Sequence, residues 1–346
     1  MIRSIQSALL PVLLLLWSIG CSSVERGAIS GATPAAGDGV AVNVFFSQTS
    51  GDYKKGGGID RYLVESIDGA HEEILLAIYA MTNDRIRDAL LRAHGRGVDV
   101  RIVTDDKAYG SEDIRMLADA GIGITDDQDA YALMHDKFMV IDRRIVWTGS
   151  CNYTYYAFYR NNENLVRIRG AKIAEVYRKE FLELADHRYI PGPYISAALE
   201  IYFSPEDHIR DRVLSMITHA RRGIDFLAFA FTDPEIADAL IAAQARGVQI
   251  RGVCDEKQNR YQKSSKFAYL RSAGIPVYLD ANRFTLHDKV MVIDGSVLTG
   301  SYNFTLKANE ENSENMVIVH NAAFAARYEE EFEKIYGAAA EANATD

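Results

Sequence analysis

Two stretches of this chain repeat one arrangement of reactive side chains: His135-x-Lys137-x4-Asp142 and His287-x-Lys289-x4-Asp294. Each is followed by Gly-Ser-x-Asn (Ser150 and Asn152; Ser301 and Asn303) and then by Asn-x-Glu-Asn (Glu163; Glu314). An imidazole, an ammonium group and an amide donor suit phosphodiester cleavage. That reaction needs a nucleophile, a proton donor and positive potential around the phosphoryl oxygens. One copy lacks a second imidazole for the acid role, and two copies facing each other supply it. One histidine would attack phosphorus and the other would protonate the leaving oxygen and later activate water. Lys137, Lys289, Asn152 and Asn303, with Ser150 and Ser301, would bind the non-bridging oxygens. A nucleophilic imidazole must be neutral and oriented, which calls for a carboxylate on its other nitrogen. Glu163 lies 28 residues after His135 and Glu314 lies 27 after His287, so each glutamate is placed for this role behind the histidine of its own copy.

Asp142 and Asp294 complete the catalytic set by motif, yet their odd spacing sets them apart. On a regular strand, seven residues from the histidine is the opposite face, so a role in the turn or with a buried partner is expected. Asp105, Asp106, Asp255 and Glu256 follow strand ends as D-[DE]-K and read as turn and cap residues rather than metal ligands. No metal and no cofactor is expected, because nothing has zinc spacing or a calcium-loop pattern. Cys151 sits inside the first Gly-Ser-x-Asn, but its counterpart is Tyr302, so it reads as structural. Cys151 and Cys254 are either bridged or two buried thiols. The basic stretch 257–266 reads as a solvated loop that could touch phosphates.

The elements that position these residues are themselves duplicated. RGVDVRIVTDDK (96–107) matches RGVQIRGVCDEK (246–257) at an offset of 150, AIYAMTND (77–84) matches AFAFTDPE (228–235) at 151, and HDKFMVID matches HDKVMVID at 152. TGSCNYT and TGSYNFT, and NNEN and NSEN, match at 151. Near-constant offsets over such a length mean one domain used twice, since the period is far too long for a solenoid. Each copy alternates strands and helices. In the first, strands at 42–47, 74–81, 98–104, 133–142, 145–149 and 164–169 interleave with helices at 59–70, 84–94, 111–120 and 172–184. The second repeats the order and ends in a helix at 322–336. This predicts an α/β fold of two pseudo-twofold-related lobes, each a mixed sheet flanked by helices. The lobes span 41–190 and 191–337, dividing near the turn-forming 189–193, with a tail at 338–346.

The chain of 346 residues carries a formal charge of −10, which disfavours sequence-independent attraction to DNA without excluding a local basic cleft. Arg3, the apolar run 8–17 and Gly20-Cys21 resemble a bacterial lipoprotein signal (1–21), with Cys21 lipidated and a flexible, Gly-rich tether at 22–40. Ser22 after Cys21 implies an outer-membrane anchor facing the periplasm. No later stretch is long and apolar enough to span a bilayer.

On these motifs the chain resembles the phospholipase D superfamily, over roughly 42–336. The resemblance implies a site at the lobe junction, no metal, a phosphohistidine intermediate, His135 as nucleophile and His287 as acid–base. Compact lobes are similar to a fused form of the superfamily's small dimeric bacterial endonuclease, so the chain would be a monomer with an internal pseudo-dimer. Hydrolysis of a phospholipid phosphodiester, phosphatidylcholine-like to phosphatidate plus alcohol, is the leading expectation. Cleavage of DNA or RNA, phosphatidyl transfer, and a non-enzymatic phosphate-binding module remain open, because the motif does not fix the substrate.

Overall fold

The computed structural model describes residues 39–49 and 58–344, and the backbone of 33–34. The expected signal and Cys21 lie outside the described residues. Within the expected tether, Thr33–Pro34 pairs antiparallel with Ala41 and Val42. Two eight-stranded mixed sheets form the molecule. In lobe one the order is Thr33–Pro34, Ala41–Phe46, Asn164–Arg169, Ile145–Gly149, Lys137–Ile141, Glu73–Ile78, Asp99–Thr104, Gly123–Asp126. In lobe two it is Tyr194–Ile195, Leu199–Ser204, Glu314–Val319, Ser296–Gly300, Lys289–Ile293, Gly223–Ala228, Gln249–Cys254, Val277–Leu279. Glu73–Ile78, Asp99–Thr104 and Gly123–Asp126 run parallel, and every other pair in lobe one is antiparallel.

The strands sort their apolar residues by parity onto two cores. Ile74, Leu76, Ile78, Met139 and Ile141 face an outer core beneath the helices Asp60–Asp68 and Asp84–Gly95. Leu75, Ala77, Phe138 and Val140 face the middle of the molecule. There they join Leu199, Ile201, Val317 and Val319 of lobe two in one continuous core. The helices Ala171–Ala185 and Ala322–Asn343 fill it with Tyr177 and Phe181, and with Tyr328 and Phe332. The lobes therefore do not merely touch, because the largest apolar cluster belongs to both.

Three sequence expectations shift. The final helix runs to Asn343 instead of ending at 336, so most of the expected tail is helical; Asn343 Nδ2 donates to Leu279 O at 2.9 Å. The 77–84 match slides by one. Asn83 and Asp233 each cap a helix, accepting from the backbone nitrogens two and three residues on, and Tyr79 and Phe229 each donate a backbone N–H to the carbonyl of Asp136 and Asp288. Both pairings give an offset of 150, not 151. Finally, the motif strand begins at Lys137, with His135 in the segment before it.

That strand ends at Ile141, so Asp142 stands in the hairpin turn, with φ of 49° there and at Asp294. Asp142 accepts from the backbone N–H groups of His71 (2.9 Å), Glu72 (2.7 Å) and Glu73 (3.2 Å). Asp294 accepts from Arg221 (2.8 Å), Arg222 (2.9 Å) and Gly223 (3.1 Å). Each carboxylate pins the motif hairpin to the start of the neighbouring strand, and this corrects their inclusion among the catalytic residues. Burial would raise the Asp294 pKa, but the three backbone donors outweigh it and hold it below the ordinary range. Its stabilisation is thus present at neutral pH and lost as pH falls through the lowered folded-state pKa. Replacing Asp142 or Asp294 by alanine is expected to cost about 1–3 kcal/mol, by leaving backbone donors without their acceptor. Urea denaturation at neutral pH measures this, and at acid pH the gap between Asp294→Ala and the parent should narrow.

Candidate active site

The segment before each motif strand crosses to the other lobe. His135 N donates to Ser313 O, and Ser313 N to Leu133 O, both at 2.9 Å. The mirror pair is His287 N to Asn162 O and Asn162 N to Thr285 O, again at 2.9 Å. These bridges lay each histidine against the Asn-x-Glu-Asn segment of the opposite copy, and the glutamates exchange accordingly. His135 Nδ1 lies 2.7 Å from Glu314 Oε2, and His287 Nδ1 lies 2.9 Å from Glu163 Oε2. The spacing pointed to a partner within each copy; the fold pairs across copies. Sequence distance carries no information about which lobe a loop docks on.

Both histidines are nearly enclosed, 7% and 8% exposed. Burial, then the ammonium groups of Lys137 and Lys289 and the other imidazole, hold His135 well below its ordinary pKa; burial above all lowers His287. Neutral imidazoles with Nδ1–H given to a carboxylate leave Nε2 for chemistry. Lys137 Nζ donates to His135 O at 2.5 Å and Lys289 Nζ to His287 O at 2.6 Å. Tyr79 and Phe229 carry these lysines over their rings, 5.4 and 4.7 Å from the centroids, and pack edgewise on the histidines. Burial lowers Lys137 to about 7 and Lys289 to about 8. A bound phosphodiester anion would restore their full charge.

Ser150 and Ser301 are fully buried and do not face a substrate, which corrects their assignment to phosphate binding. Ser150 Oγ donates to Glu163 Oε2 at 2.6 Å and accepts from Asn164 N at 3.0 Å; Ser301 Oγ accepts from Asn315 N at 2.9 Å. The serines thus steady the glutamate segments. The preceding glycines have φ of 130° and 146°, and a Cβ at Gly149 or Gly300 would strike the carbonyl of Asn164 or Asn315. Asn152 and Asn303 are half-buried, and their side-chain oxygens are enclosed without a hydrogen-bond partner among the described residues.

Further residues emerge that the motif reading passed over. Asn315 Nδ2 donates to Asp136 Oδ1 at 2.7 Å, while its Oδ1 accepts from Thr148 at 2.6 Å. Asn164 Nδ2 donates to Asp288 Oδ1 at 2.7 Å, and its Oδ1 accepts from Thr299 at 2.9 Å and Tyr328 at 3.2 Å. Each asparagine is inserted into the opposite lobe. Burial raises Asp136 and Asp288 to about 7. All of these residues recur between the copies, so the repeat held the signal. Asp105 and Asp255 cap short helices as expected and also accept from Met134 N and Leu286 N, just before the histidines. Cys151 and Cys254 are free and buried, and burial raises both thiols far from a reactive thiolate. Lys257, in the basic stretch, donates to the carbonyls of Arg283 and Phe284.

A doubled α/β fold with one histidine, lysine and glutamate set drawn from both halves defines a class of phosphoryl-handling proteins. The family profile described as "Cardiolipin synthase, PLD-like domain" matches residues 63–185 and 213–336, and the chain belongs to this family, within the phospholipase D superfamily. Among curated relatives it is 35% identical over 133 residues to the mitochondrial cardiolipin hydrolase of Xenopus tropicalis (38% of this chain, 62% of that protein). It is 39% identical over 127 residues to the phospholipase D of Rickettsia bellii (36% and 63%). The match thus spans less than two thirds of either relative. Phosphatidylserine synthase of Haemophilus influenzae shares the fold at 13% identity, with a TM-score of 0.63 over 85% of this chain and 86% of that one.

The crossed pairing predicts a specific spectroscopic result. Glu163→Gln should shift the downfield Nδ1 proton resonance of His287 and spare that of His135, and Glu314→Gln should do the converse. Proton NMR with histidine-selective labelling reads it; the opposite pattern would mean pairing within a copy.

Proposed function

We propose that the chain is a phosphodiesterase that hydrolyses a phospholipid. The observation that carries the reading is the pair of buried imidazoles, each held through Nδ1 by a glutamate of the other lobe with a lysine two residues on. His135 Nε2 attacks phosphorus as the bond to the alcohol oxygen breaks, and His287, carrying a second proton as the imidazolium beside Glu163 and the bound substrate anion, gives its Nε2 proton to that oxygen. Water then attacks the phosphohistidine, His287 Nε2 takes its proton, and the P–N bond breaks to release phosphatidate. Glu314 stabilises the positive charge that develops on His135, and Glu163 that on His287. Lys137 and Lys289 neutralise the non-bridging oxygens, and Asn152 and Asn303 donate hydrogen bonds to them through Nδ2. The assignment of nucleophile to His135 rests on the superfamily resemblance. The lipid reading is supported by the relatives named phospholipase D and cardiolipin hydrolase.

One observation favours nucleic acid instead. Phe284, three residues before His287, lies under the guanidinium groups of Arg160 (5.4 Å) and Arg283 (5.1 Å), and its centroid is 5.9 Å from the exposed ring of Tyr156. Such a stack of cations and rings at the lobe junction suits unstacked bases. Phosphatidylcholine vesicles and single-stranded DNA, tested in parallel with chelator present, decide between them. Turnover of the vesicles alone is the expected result, and turnover of DNA alone overturns the lipid reading.

His135→Ala and His287→Ala are each expected to abolish multiple turnover while the chain stays folded at the assay temperature, although each strands a buried glutamate and should lower the melting temperature. His135→Ala should also fail to acquire label from a phosphate-labelled substrate, whereas His287→Ala with a good leaving group should retain it. Substantial turnover in either variant would sink the shared site. We also propose that Cys21 is lipidated and anchors the protein in the outer membrane facing the periplasm. Cys21→Ser should then move the protein from the membrane to the soluble fraction of cells; unchanged membrane retention would refute the anchor.

A further inference from the structure

A second polar cluster lies where the helix Ala171–Ala185 of lobe one meets the turn after Leu199–Ser204 of lobe two. Glu180 and Glu183, both 4% exposed, and Glu206, 9% exposed, each present one carboxylate oxygen within 4.8 Å of the other two. Glu206 Oε2 is enclosed and accepts no hydrogen bond among the described residues. Neither Glu180 nor Glu206 has an ion pair among the described residues. The cation in reach is Lys179, whose Nζ lies 3.4 Å from Glu183 Oε1 on a side chain that is 58% exposed. Asp207 is not available as a further ligand, since it accepts from Phe203 N and Gly192 N. Three enclosed carboxylates with so little compensation are unfavourable as bare anions. Burial, with Glu206, Asp136 and Glu183 nearby, pushes Glu180 well above its ordinary pKa, and burial raises Glu206 to about 7.

The duplication supplies an internal comparison. The helices Ala171–Ala185 and Ala322–Asn343 correspond at an offset of 151, which superposes Tyr177 on Tyr328 and Phe181 on Phe332. Glu180 then corresponds to Glu331 and Glu183 to Lys334, and in lobe two these neutralise each other at 3.2 Å. Lobe one has a carboxylate where lobe two has the lysine, and Glu206 adds a third acid from across the seam.

We propose that Glu180, Glu183 and Glu206 bind a hard divalent cation, calcium or magnesium, through carboxylate oxygens, and that this ion staples the two lobes together. Oxygen-only ligation by acidic side chains, completed by water, is the chemistry such ions take. The ion is structural, not a participant in phosphoryl transfer, so its test does not use turnover and stands or falls apart from the proposed function.

The full chain, stripped with chelator, is melted with and without millimolar calcium or magnesium, and terbium luminescence is titrated alongside. Wild type should gain about 2–4 °C at saturating cation and bind terbium. Glu206→Gln should lose both responses. Glu183→Lys, which installs the residue lobe two uses, should melt above wild type in chelator and show no cation shift. That variant decides the matter even if Glu206→Gln folds poorly. No shift in wild type with either ion, or an equal shift in Glu183→Lys, would overturn the proposal and leave protonated carboxyls sharing hydrogens in its place.

Discussion

Everything at the centre of this molecule follows from two hydrogen bonds exchanged between copies, His135 to Glu314 and His287 to Glu163. A buried imidazole bonded to its own copy's glutamate would let each lobe complete half a site alone. Crossing the bonds makes each half depend on the other. The exchanged segments bring their backbones with them, so the bridges at Met134–Ser313 and Asn162–Leu286 fix the lobes in register as well as the rings. Docking the lobes and orienting the imidazoles are therefore one event.

The crossing also eases a burial problem, although Asp136 Oδ2 stays enclosed without a partner among the described residues. Asp136 and Asp288 are 1% exposed, and an unpaired carboxylate there would be costly. Asn315 and Asn164 reach over to donate to them, and threonine hydroxyls satisfy the asparagine oxygens from the far side. A buried network of this kind specifies one arrangement because a shifted register would strand several polar groups together. The continuous apolar core around Tyr177 and Tyr328 supplies the driving force, and the polar network supplies the alignment.

Exact duplication would give a symmetric site, but the lobes have diverged around it. Tyr79 stands where the second copy has Phe229, and Glu183 where it has Lys334. Burial lowers both lysines from their ordinary pKa, so in each half a bound anion favours the charged ammonium.

Much was legible in the sequence. Alternating element types and a constant offset determined two mixed α/β lobes, and the twin motifs picked out His135, Lys137, Glu163 and their counterparts. Those signals are local: period-two burial, helical spacing and side-chain type at fixed intervals. Three things were not local and only the tertiary structure decided them. Glu163 serves His287 because a loop crosses the seam, Ser150 and Ser301 turn inward because the glutamate segments pack on them, and Asp142 and Asp294 bind backbone some 70 residues upstream. A duplicated sequence is the same whether its copies pair with themselves or with each other. The choice is made by the docking of the two inner faces, whose shared core and buried polar network exist only once both lobes are folded.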